Sequence, residues 1–224
     1  MSQARGEAGT RGGQVRSDCW IAFEPRSDGG IELQVKSKVA SMYGESIRQQ
    51  VLAGLAILGI EHGMVEVEDA GALPFVIDAR LETAVRRALG TLEAQLLPEK
   101  TVTIAPSAKD RFRRSRLYLP GNTPKLMYNA GLYGADGVIL DLEDAVAPAE
   151  KDAARCVIRN ALRVIDFGGA ELMVRINQGE RGLEDLEWIV PHGVQLILIP
   201  KVESAAEVQA VDARIGAICD RCGI

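Results

Sequence analysis

Three carboxylates, Asp141, Glu143 and Asp144, follow directly on an apolar run, Gly137-Val-Ile-Leu140. In a strand Asp141 and Glu143 share one face. Like charges that close either raise one pKa or recruit a cation, and both outcomes belong to active sites. The alternative is a set of acids favoured by the dipole at a helix start. Arg175 ends a second apolar run, Glu171-Leu-Met-Val174. Its guanidinium fork matches a carboxylate, either of a substrate or of Asp141 or Glu143. A third run, Leu117-Tyr-Leu119, ends in Pro120-Gly121-Asn122, and a fourth, Gln195-Leu-Ile-Leu-Ile199, ends in Pro200-Lys201. Each apolar run therefore ends in polar residues, the way α/β proteins build sites at the carboxyl ends of parallel strands.

The elements that must position these residues repeat a strand-then-helix rhythm. Strands are expected at 117–119, 137–140, 171–177 and 195–199. Helices are expected from Thr123-Pro124, over 147–165, over 183–190, and after a Ser204 cap. Four βα units imply a parallel sheet, doubly wound or barrel, and four is half of what a (β/α)8 barrel requires. The chain reaches residue 224 where a fifth strand is expected.

Upstream lies a smaller pattern. Residues 1–16 are rich in Gly and Arg without periodicity and read as a flexible tail. Alternating residues at 17–25 and 31–35, separated by Ser27-Asp-Gly-Gly30, read as a hairpin. From Val39 to Leu58, apolar positions 47, 51, 52, 55 and 58 mark one helix stripe. A strand at 64–68, a strand at 75–77 and a helix at 81–89 complete ββαββα, a two-layer α/β sandwich over residues 17–90. Residues 91–113, with Lys109-Asp-Arg-Phe-Arg-Arg114, read as an extended linker, a solvated hinge whose arginines alternatively suit a phosphate-bearing ligand.

Composition narrows the function classes. Net charge is −5, which gives no electrostatic case for nucleic acid or an anionic membrane as partner. The apolar runs are too short to cross a bilayer, and the N-terminus has no apolar signal core, so a cytoplasmic protein is expected. Cys219-Asp-Arg-Cys222 is a lone C-x-x-C pair, half of a structural zinc site, and reads as incidental, as do Cys19 and Cys156. His62 and His192 read as solvated turn residues.

Four blocks together carry a resemblance: Arg114-Ser-Arg-Leu-Tyr-Leu-Pro-Gly-Asn122, Gly134-Ala-Asp-Gly-Val-Ile-Leu-Asp-Leu-Glu-Asp-Ala-Val146, Met173-Val-Arg-Ile-Asn177 and Ile199-Pro-Lys-Val-Glu-Ser204. In this order and spacing, residues 114–224 resemble the citrate lyase β-subunit family (HpcH/HpaI aldolase/citrate lyase). Glu32-Leu-Gln-Val35, Tyr43-Gly-Glu-Ser-Ile47, Gly71-Ala-Leu73 and Ala79-Arg-Leu-Glu82 resemble the acyl carrier protein, or γ subunit, of the same complex. The resemblance implies a carrier domain followed by the first half of a TIM (β/α)8 barrel. It implies Mg²⁺-dependent retro-Claisen cleavage of a citryl thioester to an acetyl thioester and oxaloacetate. A phosphoribosyl-dephospho-coenzyme A arm is implied on Ser17, where Asp18 replaces the family's following glycine, with Ser27 as fallback. Arg175 is implied to bind substrate, with Asp141, Glu143 and Asp144 lining the catalytic pocket. Gly121, Asn122 and Lys201 are implied to border the arm. The family's main Mg²⁺ ligands are expected beyond residue 224, with none assigned among these residues. Implied partners are the α-type acyl transferase subunit, the prosthetic-group transferase and further copies of the chain. Two other readings stay open: a carrier and assembly module without activity of its own, and a lyase for malyl or citramalyl coenzyme A esters.

Overall fold

A computed structural model describes residues 5–224, which divide into two compact units, one up to Pro98 and one from Glu99. The first unit is built from β1 (Gly6–Gly9), β2 (Cys19–Pro25), β3 (Ile31–Ser37), α1 (Ala40–Ile57), β4 (Gly63–Asp69) and α2 (Pro74–Leu89). Its sheet runs β1-β2-β4-β3, with β3 and β4 parallel and the other pairs antiparallel. Ile21, Phe23, Val65 and Val67 of the sheet meet Val51 and Leu55 of α1 and Ile77, Leu81 and Val85 of α2 in one core. The result is a two-layer α/β sandwich.

Four expectations for this unit need correction. The segment expected to be tail contains β1, where Gly6 is required because a Cβ there would stand 2.0 Å from the Ala84 carbonyl oxygen of α2. The 17–25 and 31–35 runs do not pair as a hairpin, because β4 lies between them. Residues 26–30 still connect β2 to β3, but the β3-α1-β4 crossover returns β4 into the place between them. Residues 75–77 are not a strand but the first turn of α2, with Pro74 at its opening position and Phe75, Val76 and Ile77 all buried. An isolated apolar triplet fits either element, and here packing against the sheet decides. Finally, residues 91–98 are no free linker: Leu96 is buried in the core, its amide donates to Glu82 Oε2 at 2.7 Å, and Arg86 donates to the carbonyls of Leu92 and Ala94.

The second unit holds β5 (Arg116–Pro120), α3 (Pro124–Met127), β6 (Gly137–Asp141), α4 (Lys151–Val164), β7 (Glu171–Arg175), α5 (Gly179–Ile189), β8 (Leu196–Leu198) and α6 (Ala205–Cys222). Its four strands are parallel and ordered β5-β6-β7-β8. Each strand joins the sheet on the same side as the one before. A doubly wound sheet reverses direction at a switch point, whereas a (β/α)8 barrel winds on in one sense, so this unit is the first half of a TIM barrel. Ser204 caps α6, accepting from the Glu207 amide.

Residues 99–113 also depart from the expected hinge. Arg113 pairs with the fully buried Glu171 at the first position of β7, with Nη2 2.7 Å from Oε1. Ser107 donates to the same carboxylate. Arg111 donates to the carbonyls of Asp136 and Gly169, and Gln195 to that of Ala105. This segment is tied to the amino ends of the strands, the face of a barrel that carries stability rather than chemistry. His192 is buried rather than solvated, with Nδ1 3.2 Å from Arg163 Nη1. His62 Nδ1 accepts from the Gly30 amide at 3.0 Å.

Candidate functional site

The parallel register sets Pro120 beside Asp141 and Asp141 beside Arg175 at the carboxyl ends of β5, β6 and β7. Arg175 Nε donates to Asp141 Oδ1 at 2.8 Å and Nη2 to Oδ2 at 2.6 Å, a bidentate pair. Asp141 is buried and each of its oxygens takes a second hydrogen bond, Oδ1 from the Glu143 amide and Oδ2 from the Ala145 amide. Burial alone would raise its pKa. Arg175 and the two amides outweigh burial and hold the carboxyl below its ordinary value. Arg175 is pushed up in turn, chiefly by its bonds to Asp141.

Glu143 sits one shell outward. Its Oε1 accepts from Gln178 Nε2 at 2.8 Å and lies 2.8 Å from Lys201 Nζ. Its Oε2 stands 2.9 Å from Arg175 Nη1 but off the hydrogen-bonding direction, so this buried oxygen retains an unsatisfied acceptor position. Lys201 also reaches Asp144 Oδ1 at 3.2 Å and lowers its pKa, while Glu143 and Asp144 raise that of Lys201. Lys151 Nζ, buried enough to depress its own pKa, donates to the carbonyls of Leu142 and Glu143 and holds the strand-to-helix loop. A cavity of about 420 Å³ is lined by Glu143, Asp144, Lys151, Asn177, Gln178 and Arg181. Arg175 lies 5.3 Å over the Tyr118 ring, a cation–π contact that steadies the guanidinium from the β5 side.

Arg175, Asp141, Glu143, Asp144 and Lys201 therefore meet in one place. Gly121 has a packing role: its amide donates to Asp141 O at 2.8 Å, and a Cβ would stand 2.6 Å from Ile158 Cδ1 and 2.7 Å from that oxygen. Asn122 accepts from Thr123 Oγ1 in the same loop. Sequence reasoning missed Tyr118, Lys151 and Gln178. Gln178 directly follows the Arg-Ile-Asn block, the one signal that pointed to it. Among the described residues no group of three or more His, Cys, Asp or Glu forms a metal cluster. With Asp141 held by Arg175 and Glu143 by Gln178 and Lys201, the trio does not fit a Mg²⁺ site.

In the first unit Ser17 precedes β2, half-buried at φ +58°, its amide 2.9 Å from Ala70 O. That left-handed backbone usually favours glycine. Asp18 anchors the turn: it pairs bidentately with Arg80 at 3.0 Å on both oxygens and accepts from Thr10 Oγ1 at 2.8 Å. Ser27 is exposed at the opposite end of β2.

A family model, HpcH/HpaI aldolase/citrate lyase, matches residues 114–224. Over these residues the chain is similar to HpcH/HpaI aldolase/citrate lyase proteins. A second model, described as malonate decarboxylase delta subunit (MdcD) and labelled ACP, matches residues 7–88. Among curated proteins, citrate lyase subunit beta of Leuconostoc mesenteroides subsp. cremoris is 42% identical over 112 residues, 47% of this chain and 36% of that protein. A (3S)-malyl-CoA thioesterase of Cereibacter sphaeroides (strain ATCC 17029 / ATH 2.4.9) is 41% identical over 104 residues, 46% of this chain and 36% of that protein. A solved citrate lyase beta subunit from Mycobacterium tuberculosis aligns at 34% identity and TM-score 0.36, over 46% of this chain and 45% of that one. The chain spans well under half the length of the curated relatives it matches.

Proposed function

We propose that this chain is a citrate lyase component. An arm on Ser17, of the phosphoribosyl-dephospho-coenzyme A type, presents citryl and acetyl thioesters, and the HpcH/HpaI segment takes part in cleaving the citryl thioester to acetyl thioester and oxaloacetate. The observation that carries this reading is the pairing on one chain of a carrier-type segment and a citrate-lyase-type segment. In the reaction the tertiary hydroxyl loses its proton and the adjacent carbon–carbon bond breaks. Its electron pair leaves on the acetyl thioester as an enolate, which is then protonated.

The chain's own residues suit parts of this. Asp141 fixes the fork of Arg175, leaving the Nη1 hydrogens without an aligned partner for a substrate carboxylate. Glu143 Oε2, close by with an open acceptor position, suits the hydrogen of the adjoining hydroxyl. Fusion keeps the arm at high effective concentration near its lyase segment. The reading calls for Mg²⁺, an α-type acyl transferase subunit, a prosthetic-group transferase and further copies of the chain.

Intact-mass analysis after co-expression with the transferase tests the carrier half: the wild type gains the mass of the arm and Ser17→Ala does not. An unmodified wild type defeats it. A second reading, a lyase for free coenzyme A esters such as malyl coenzyme A, is favoured by the 41–43% identity to (3S)-malyl-CoA thioesterases. Cleavage of a coenzyme A ester that survives Ser17→Ala selects it. A chain without turnover on either substrate class is a carrier and assembly module.

A further inference from the structure

A cavity of about 290 Å³ opens at the end of the first unit's sheet where β2 begins. Arg11, Lys36 and Lys38 line it, together with Gly12, Gly13 and Ala70. Two acids, Glu68 and Asp69, also reach it. Asp69 is buried and committed: its Oδ2 accepts from Ser37 Oγ at 2.6 Å, and Oδ1 from the amides of Gly71 and Ala72 at 3.0 and 2.8 Å. Glu68 Oε1 stands 3.7 Å from Arg11 Nη1, beyond hydrogen-bond range.

The cations are held in place with donors to spare. Arg11 stacks on Trp20, 4.1 Å from the ring centroid, and neither its Glu68 contact nor the stacking engages the N–H edge of its fork. Lys38 Nζ donates to Gly13 O at 3.1 Å and Val15 O at 2.9 Å, pinning the cavity wall and keeping one N–H in reserve. Lys36 is exposed and, among the described residues, makes no hydrogen bond or ion pair. Gly12, at φ +127°, and Gly13 would each carry a Cβ into open space, so nothing crowds a ligand near that backbone. Ser17 is next to the cavity: its amide bonds to Ala70 O, and Val15, two residues before it, is a wall residue.

We infer that this cavity binds a phosphate-bearing group, on the scale of a diphosphate or a sugar phosphate, beside the Ser17 hydroxyl. Size and charge select that class. The volume is roughly that of ten liquid waters, too small for a complete coenzyme-like arm and ample for one phosphorylated segment of it. An arginine fork with two lysines beside it suits the several oxygens and multiple charge of a phosphate group. The cavity seats the phosphates of an arm attached to Ser17, or those of a free nucleotide. The first source rests on the carrier reading proposed above.

The full-length, unmodified chain is titrated with sodium pyrophosphate and with ADP at constant ionic strength, followed by amide shifts of Gly12, Gly13 and Lys36. Citrate serves as a comparison anion. Saturable binding of pyrophosphate and ADP is expected, weakened at least about tenfold by the double variant Arg11→Ala/Lys36→Ala and unchanged by Ser17→Ala. Lys36→Gln, at an exposed strand position, replaces the double variant if that one unfolds. Absence of saturable binding, binding indifferent to these cation variants, or equal binding of citrate overturns the proposal. Pyrophosphate binding in a chain whose Ser17 never acquires mass leaves the cavity as a free-nucleotide site and removes only the carrier reading. A modified Ser17 without pyrophosphate binding removes only the cavity.

Discussion

Arg175, part-buried, is held by one carboxylate and flanked by a second, which fixes the direction of its guanidinium. Asp141 contributes orientation. Replacing it by Asn removes one member of a buried charged pair and leaves Arg175 less well held, an effect of about 3 kcal/mol on stability, measurable by urea unfolding. Wild-type stability carries a matching pH signature. The folded pKa values of Asp141 and Asp144 lie below their ordinary ones. Their contribution is therefore fully present above the unfolded carboxylate pKa of about 3.9 and lost as pH falls through the folded values. In Asp141→Asn that acid-limb slope is smaller; an unchanged slope would mean the pair contributes nothing. The residue types and spacing of Asp141, Glu143 and Arg175 were legible in the sequence. Whether Arg175 faces a substrate or Asp141 was not, because that depends on strand register.

At the scale of elements, the βα repeats were legible because the central parallel strands β6 and β7 are buried and largely apolar, and Pro124 and Ser204 mark the starts of α3 and α6. The misreadings arose where local pattern and packing diverge, at residues 75–77 and in the supposed linker. Gly121 shows how one position joins two elements: its lack of a side chain lets the β5 loop approach the end of β6. Gly121→Ala is expected to destabilise by about 1–3 kcal/mol, read as a lower denaturation midpoint, since Asp141 O is backbone and cannot swing aside. The turn after α5 offers a second test. Burial pushes His192 down to about 4, helped by the positive charges of Arg159, Arg163 and Lys100. With a folded pKa below the unfolded value of about 6.5, its contribution is complete above pH 6.5 and fades toward pH 4, on the order of 3 kcal/mol. His192→Gln should flatten the stability profile in that window; a profile identical to wild type would contradict the buried neutral ring.

At the scale of the molecule, two units each own a core, and calorimetry of the full chain should resolve two unfolding transitions. A ligand that binds the first unit, such as pyrophosphate at the Arg11 cavity, should raise one midpoint and leave the other in place. A single transition shifted as a whole would show that the units unfold together.

The sequence by itself determined the two-part organisation, the half-barrel rhythm and the residues at the strand ends, because hydrophobic period and turn chemistry act over a few residues. Only the tertiary structure decided what those residues touch. It paired Arg175 with Asp141, set β4 between β2 and β3, drew Arg113 to Glu171 and gathered Arg11, Lys36 and Lys38 beside Ser17. Contacts between residues tens of positions apart follow from sheet order and register, which no local pattern encodes.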